Sequence, residues 1–165
     1  MNNKQFKQKG FTVIELLVVG AIGVILMAIV MYVLTSSAKM ASKSRLNRII
    51  DDQGAWLMYE LKKNIMWARP GSVTCPSNSV SLYNRADNQG TVISLSGTRI
   101  ASTSANTVYL TSDEVSVPSW TVSCDLTGIN QVVSANFTLR AGNTSSSKPE
   151  DSTSKSFQTT ITVRP

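Results

Sequence analysis

The chain has 165 residues, enough for one domain of modest size and an extension. It contains no histidine, which excludes histidine-based catalytic triads and the commonest side-chain ligand of metal ions. The net charge of +6 is concentrated near the N-terminus: residues 1–10 carry three lysines, residues 39–69 carry seven basic side chains against three acids, and residues 70–165 carry six of each. The C-terminal part is therefore neutral, which disfavours a nucleic-acid-binding surface there.

A basic leader, MNNKQFKQKG, precedes an apolar run over residues 11–34 whose only charged member is Glu15. As a helix this run would be roughly 36 Å long, which is sufficient to cross a bilayer. It is too long for the apolar core of a cleaved secretory signal, which has about 7–15 residues. Cleavage after Gly10 would instead leave the whole helix on the mature chain, with a new amine at Phe11.

The order Gly10, Phe11, Thr12 and Glu15, followed by Leu16, resembles the N-terminal motif of the type IV pilin and pseudopilin family. The resemblance implies that a prepilin peptidase cuts between Gly10 and Phe11 and that Phe11 becomes N-methylated. It also implies storage of the subunit in the membrane, followed by stacking of the apolar helices into a filament.

Glu15 requires an explanation, because an ionised acid in a bilayer core costs roughly 2.5 kcal/mol or more. An α-amine with a pKa near 8 is cationic at neutral pH, so the two buried charges are tolerable together and their pairing would select one axial register. The family resemblance implies that this amine belongs to a neighbouring subunit. The alternative is that Glu15 lies near the lipid headgroups, at a helix N-terminus whose dipole favours an acid.

Residues 35–69 are predicted to continue the helix as an amphipathic segment. One apolar stripe recurs at helical spacing, and Arg69, Pro70 and Gly71 supply the stop; the stripe comprises Leu46, Ile49, Ile50, Leu57, Leu61, Ile65 and Ala68. Trp56, Tyr59 and Trp67 are predicted to thicken this stripe as core residues. The apolar half contains no proline, unlike many major pilins, which favours a minor pilin or pseudopilin.

From residue 72 onward the sequence changes to Ser, Thr, Asn and short β-type runs. Strands are predicted over residues 80–83, 91–95, 107–111, 120–124, 132–140 and 157–164. The Ser/Thr-rich stretch AGNTSSSKPEDSTSKS between the last two is predicted to be an exposed loop that joins them as antiparallel strands. The fold class is therefore predicted as α+β, with the amphipathic half of the helix packed on an antiparallel sheet, as in the pilin fold. The expected divisions are a cleaved leader (1–10), a membrane-spanning or filament-core half-helix (11–35), an amphipathic half-helix (36–69) and a β-rich head (70–165).

Cys75 and Cys124 are the only cysteines, and an even pair in an exported region predicts a disulfide. Two unpaired buried thiols are the alternative. In the loop-closure model the bond would stabilise the fold by about 4 kcal/mol.

The resemblance implies a structural filament subunit: a minor pilin or the major subunit of a pilus. The alternatives are a pseudopilin of a type II secretion or DNA-uptake (competence) system and a minor pilin whose head binds DNA or a surface. A membrane-tethered enzyme is disfavoured, because adjacent acids such as Asp51–Asp52 and Asp113–Glu114 point in different directions. No catalytic residue, cofactor or metal ion is expected.

The partners that the resemblance implies are the prepilin peptidase, other pilin subunits, an inner-membrane assembly platform and the membrane itself; nucleic acid is a weaker alternative. The subunit is expected to be single-pass in the bacterial inner membrane with a cytoplasmic N-terminus, and later to join a periplasmic or extracellular filament.

Overall fold

The computed structural model describes residues 10, 12–86, 88–126, 131–142 and 151–163. One long helix is followed by seven strands: α1 (Val13–Met66), β1 (Val80–Tyr83), β2 (Gly90–Ser96), β3 (Arg99–Thr103), β4 (Thr107–Tyr109), β5 (Val115–Asp125), β6 (Val132–Gly142) and β7 (Ser152–Thr162). The predicted α+β class is confirmed. Residues 1–41 and 42–165 form two compact units.

The N-terminal unit contains the apolar part of α1. Among the described residues, α1 is the one helix that is long and apolar enough to cross a membrane, and its most apolar window has none of its residues buried. The large apolar side chains of this part are 52% to 80% exposed, the extremes being Ile22 and Val13. The protein's own core therefore does not cover this surface.

In the C-terminal unit (residues 42–165), α1 has one buried stripe, formed by Ile50, Gly54, Leu57, Leu61 and Ile65. These positions fall on one side of a helix that turns roughly 100° per residue. The predicted stripe is therefore confirmed. The helix ends at Met66, three residues before the predicted stop, and Ala68 then forms a bridge with Asn84.

Trp56, Tyr59 and Trp67 are not core residues, and that prediction was wrong. Their side chains are 51%, 58% and 65% exposed, respectively. The reason is angular: Trp56 precedes the buried Leu57 by one residue, and Tyr59 follows it by two, so both point well away from the buried stripe. Apolar character alone led to their assignment to the nearest apolar stripe.

The strands form two antiparallel sheets rather than one, with the orders β1-β2-β3-β4 and β5-β6-β7. Strand β3 was not predicted. It pairs with β2 through the two-residue loop Gly97-Thr98, in which Gly97 has a φ of 64°. Glycine at the first position of a two-residue loop is a recognised hairpin signal, so the strand could have been found from sequence.

The pair β6–β7 is the longest hairpin in the described chain and runs in continuous register from Val132↔Thr162 to Gly142↔Ser152. The antiparallel pairing of these segments was predicted correctly, but the predicted loop was too long. Residues 152–156 belong to β7 although they lack an apolar face, because they pair with the last part of β6. Residues 141–142 of that predicted loop belong to β6, and residues 143–150 lie outside the described residues.

The core of the C-terminal unit lies between α1 and the sheets. Strand β6 supplies Val133, Ala135, Phe137 and Leu139, each at most 1% exposed, and the intervening residues face outward. Phe137 stacks on Phe157 of β7, with ring centroids 5.4 Å apart. Since every buried residue of the described chain lies between Ile50 and Val163, this unit carries a complete core of its own.

Two polar contacts join α1 to the first residues of β7. Lys155 Nζ lies 2.6 Å from Asp51 Oδ1, and the hydroxyl of Thr153 donates to Asn47 Oδ1 at 2.9 Å. The side chains in both contacts are largely exposed, so each contact contributes at most about 1 kcal/mol to the stability of the fold. Their main effect is to set the position of β7 along the helix.

Cys75 and Cys124 form a disulfide with a Cα–Cα distance of 5.8 Å. The bond joins the segment that follows α1 to strand β5. Beside it, Asn78 Nδ2 donates to the carbonyl of Trp120 at 3.1 Å, and Asn78 Oδ1 accepts from the backbone N–H of Val122 at 3.2 Å. The indole N–H of Trp120 donates to the carbonyl of Asn78 at 2.7 Å. The free edge of β5 is therefore covered by the 75–79 loop.

Candidate processing and assembly site

The start of α1 is defined by a side-chain cap. Thr12 precedes the helix, and its hydroxyl oxygen accepts from the backbone N–H of Glu15 at 3.3 Å. The carbonyl of Thr12 also accepts from the N–H groups of Glu15 and Leu16, at 3.1 and 3.2 Å. Thr12 is thus the N-cap residue, and it satisfies donors that have no partner within the helix.

Glu15 occupies the third helical position, in the order Thr-x-x-Glu that is typical of a capping box. This role of Thr12 was not recognised from sequence, although the spacing was visible. The carboxylate also lies in the first turn, where the helix dipole favours an acid. The local placement of Glu15 therefore has an intramolecular explanation that operates beside any intermolecular one.

The surroundings of Glu15 are apolar and open. Val13, Ile14 and Leu16 are 80%, 71% and 70% exposed. A carboxylate on such a surface is well solvated in water, but its charge becomes costly when the same surface is buried in lipid or between helices. Covering this surface with an apolar partner is therefore less costly when the partner brings a cation or a hydrogen-bond donor to Glu15.

The predicted scissile bond follows Gly10, which is exposed and has no heavy atom within 4 Å of the position that a Cβ would occupy. Its neighbour Phe11 and the leader residues 1–9 lie outside the described residues. The accessible backbone at Gly10 is compatible with entry of this segment into a peptidase.

The adjacent acid pairs of the sequence, Asp51–Asp52 and Asp113–Glu114, lie on the surface of the protein. Asp51 binds Lys155, and Asp113 and Glu114 lie exposed in the turn before β5. Within the described ranges, no group of three or more Cys, Asp or Glu side chains is arranged to hold a metal ion. These acids therefore have the geometry of surface residues.

Comparison with known proteins yields one match. The family model described as the prokaryotic N-terminal methylation motif matches residues 5–31, which include Gly10, Phe11, Thr12 and Glu15. No curated protein and no solved structure matches the chain. The match covers residues 5–10 of the leader and most of the apolar part of α1, and it does not extend to the β-rich region.

Proposed function

We propose that this chain, a type IV pilin-like prepilin by its N-terminal methylation motif, is a structural subunit of a type IV pilus-like filament. The motif and the apolar helix support membrane anchoring before assembly. They also indicate a structural protein rather than an enzyme.

The observation that carries the proposal is the uncovered apolar surface of α1, with a single acid at its start. Burying one large aliphatic side chain is worth roughly 1.5–3 kcal/mol, so residues 13–34 cannot remain in water. The bilayer covers this surface first. When the subunit leaves the membrane, the equivalent helices of neighbouring subunits offer a matching apolar surface.

In the helix bundle, Glu15 of one subunit pairs with the N-terminal ammonium of Phe11 in a neighbour. Cleavage between Gly10 and Phe11 creates this ammonium, and N-methylation keeps it basic. Each charge alone would be strongly destabilising in an apolar bundle, whereas the pair is tolerated at one axial offset. The contact therefore specifies the register of assembly more than its strength.

The proposed parts of the chain are the leader 1–10, the filament-core half-helix 11–35, the amphipathic half-helix 36–69 and the head 70–165. The N-terminus starts in the cytoplasm, and the head lies beyond the inner membrane. The prepilin peptidase, an inner-membrane assembly platform and other pilins are the partners, and the filament is periplasmic or extracellular.

A minor pilin is the favoured type of subunit. The apolar half of α1 has no proline, and the disulfide joins the 75–79 loop to β5 instead of enclosing the C-terminal segment. Both features differ from many major pilins. A pseudopilin of a secretion or DNA-uptake system is the second candidate, because it has the same N-terminus.

The test is to replace Glu15 in the full chain and to measure the subunit in sheared fibres. Glu15→Leu and Glu15→Gln are each expected to lower incorporation on the order of tenfold or more, since either leaves a buried ammonium without its counter-charge. Asp52→Asn, which removes an exposed acid elsewhere on the same helix, is the matched control. Mass spectrometry should find N-methylated Phe11 as the first residue of the assembled protein.

Undiminished incorporation of both Glu15 variants would contradict the role in register. Assembled subunits that retain Met1 would contradict the processing step and, with it, the existence of the pairing amine.

A further inference from the structure

A polar hollow of about 480 Å³ lies in the C-terminal unit, where α1 meets the three-stranded sheet. We name it the cationic hollow, because six of its lining residues are either cations or carry a hydroxyl group: Lys43, Thr138, Arg140, Ser152, Thr153 and Ser154. Among the described residues, no Asp or Glu lines it. Small-molecule sites of this size are usually apolar, so this lining favours a charged ligand.

The helix presents a row of polar side chains to β7. Lys43, Asn47 and Asp51 follow one another at intervals of four residues, so they lie on one side of α1. Asn47 accepts a hydrogen bond from Thr153, and Asp51 binds Lys155. Lys43 is the next member of the row, and it lines the hollow beside the first residues of β7. Strand β7 contains no acid, so it offers this lysine hydroxyl groups and no countercharge.

Arg140 supplies the second cation, from β6. Its Nη2 donates to Ser152 Oγ at 3.5 Å, which is long compared with the usual ~2.7–3.2 Å of an N–H···O bond. Asp113 and Glu114 border Arg140 in a separate hollow, but within the described chain neither acid forms an ion pair with it. The guanidinium has five N–H donors in a planar fork, and that fork matches the oxygens of a phosphate group.

The donors converge on the hollow from three elements. Lys43 belongs to α1, Arg140 to β6, and the hydroxyls of Ser152 and Ser154 to β7. Ser152 accepts from Arg140 and can still donate its own O–H, and Ser154 is exposed. A phosphate group accepts hydrogen bonds on several oxygens and, as a monoester, carries roughly −1.5 to −2 charge at pH 7, which balances two cations.

We infer that the cationic hollow binds a phosphate group, carried by either an anionic phospholipid or a soluble phosphate ester. The lipid source rests on the proposed function, whereas the phosphate site does not. Lys43 lies nine positions after Leu34, the last residue of the apolar run, and residues 39–48 contain four basic side chains and no acid. Such a stretch beside a membrane-spanning segment is attracted to anionic headgroups.

The phosphate site is tested by titrating the ¹⁵N-labelled 42–165 unit with inorganic phosphate at pH 7, with sodium chloride holding the ionic strength constant. Saturable shifts are expected at the amides of Arg140 and residues 152–154. Lys43→Gln and Arg140→Gln should each weaken the affinity about five- to tenfold, because each removes one charge-assisted hydrogen bond.

Lys62→Gln is the matched control, since it removes the same charge from an exposed lysine of the same helix outside the hollow. It should change the affinity less than twofold. Lys43 is exposed as well, so its replacement leaves the fold intact, and thermal unfolding of each variant monitors folding.

The source is tested by cosedimentation of the same unit with vesicles of phosphatidylcholine, with and without phosphatidylglycerol. Binding that requires phosphatidylglycerol, decreases in Lys43→Gln and persists in Lys62→Gln would identify the headgroup as the ligand. Saturable phosphate binding without vesicle binding would identify a soluble phosphate ester.

Three outcomes would overturn the inference: no saturable shift with phosphate, shifts that chloride reproduces at the same ionic strength, or equal losses in Lys43→Gln and Lys62→Gln. Equal losses would show that only the net charge of the surface matters. Because the titration uses the isolated unit, its result is independent of the fibre assay, and either proposal can fail without the other.

Discussion

At the scale of single residues, Gly54 has a packing role that explains why glycine occurs in the interior of a helix. Glycine normally costs about 1 kcal/mol relative to alanine in a helix interior. Here the ring of Phe157 lies directly against the backbone of α1, and a Cβ at position 54 would overlap the ring. The glycine therefore permits the close approach of β7 to the helix.

We expect Gly54→Ala to destabilise the 42–165 unit by about 1–3 kcal/mol, because overpacking outweighs the gain in helix propensity. Urea unfolding of the isolated unit measures this change. In a Phe157→Leu background, the same substitution should be close to neutral, since a smaller side chain can withdraw from the methyl group. An equal penalty in both backgrounds would contradict the proposed contact.

At the scale of secondary-structure elements, the β5 edge of the three-stranded sheet is protected from pairing with other chains. An unpaired strand edge invites pairing with other chains. The edge of β5 is bonded to Asn78, and a further hydrogen bond from Val117 N–H to the carbonyl of Thr98 joins this strand to the other sheet. Pro118 and an irregularity between Ser116 and Ser119 also interrupt regular pairing along β5.

Asn78→Gly should destabilise the isolated unit by about 1–2 kcal/mol, because it removes two side-chain hydrogen bonds without straining the backbone. Asn78 has a φ of 64°, a value that glycine adopts readily. Ser77→Gly, at a φ of 47°, is the matched control for the backbone effect and should be neutral or slightly stabilising. The measurement is again the urea midpoint, and equal shifts for the two variants would argue against the role of the Asn78 side chain.

Sequence reasoning succeeded where one periodicity dominated. The buried stripe of α1 was predicted because its apolar residues repeat over several helical turns. It failed for Trp56, Tyr59 and Trp67, since an apolar residue does not by itself reveal which side of a helix it occupies. It also failed for the first part of β7, because residues 152–156 owe their strand conformation to pairing with β6 rather than to their own pattern.

The roles of Gly10, Phe11 and Glu15 are predicted from the order of residue types and remain predictions. The N-capping bond of Thr12, by contrast, became apparent only from the backbone of the first turn. The exposure of Trp56, Tyr59 and Trp67 became apparent only from the structure, because it depends on which side of the chain the sheets cover.

At the scale of the whole molecule, the disulfide is the covalent link between the segment after α1 and the three-stranded sheet. Cys75 and Cys124 are separated by 49 positions in sequence. Closing a loop of this length restricts the unfolded chain much more than a short loop would.

We expect the double variant Cys75→Ala/Cys124→Ala to lose about 2–5 kcal/mol in unfolding free energy relative to the oxidised protein. The assay is urea unfolding of the 42–165 unit with and without a reductant. The reductant should lower the midpoint of the parent protein and leave the double variant unaffected. A parent midpoint that is insensitive to reduction would show that the bond contributes little.

The continuous register of β6 and β7 has an evolutionary consequence. Inward positions such as Ala135 and Phe137 are buried beneath α1, whereas their immediate neighbours Ser134 and Thr138 are partly exposed and contact hydroxyls of adjacent strands. Substitutions at such outward positions should therefore affect folding much less than substitutions at the inward ones. The outer face of this sheet can change its chemical character while the architecture beneath it is inherited intact.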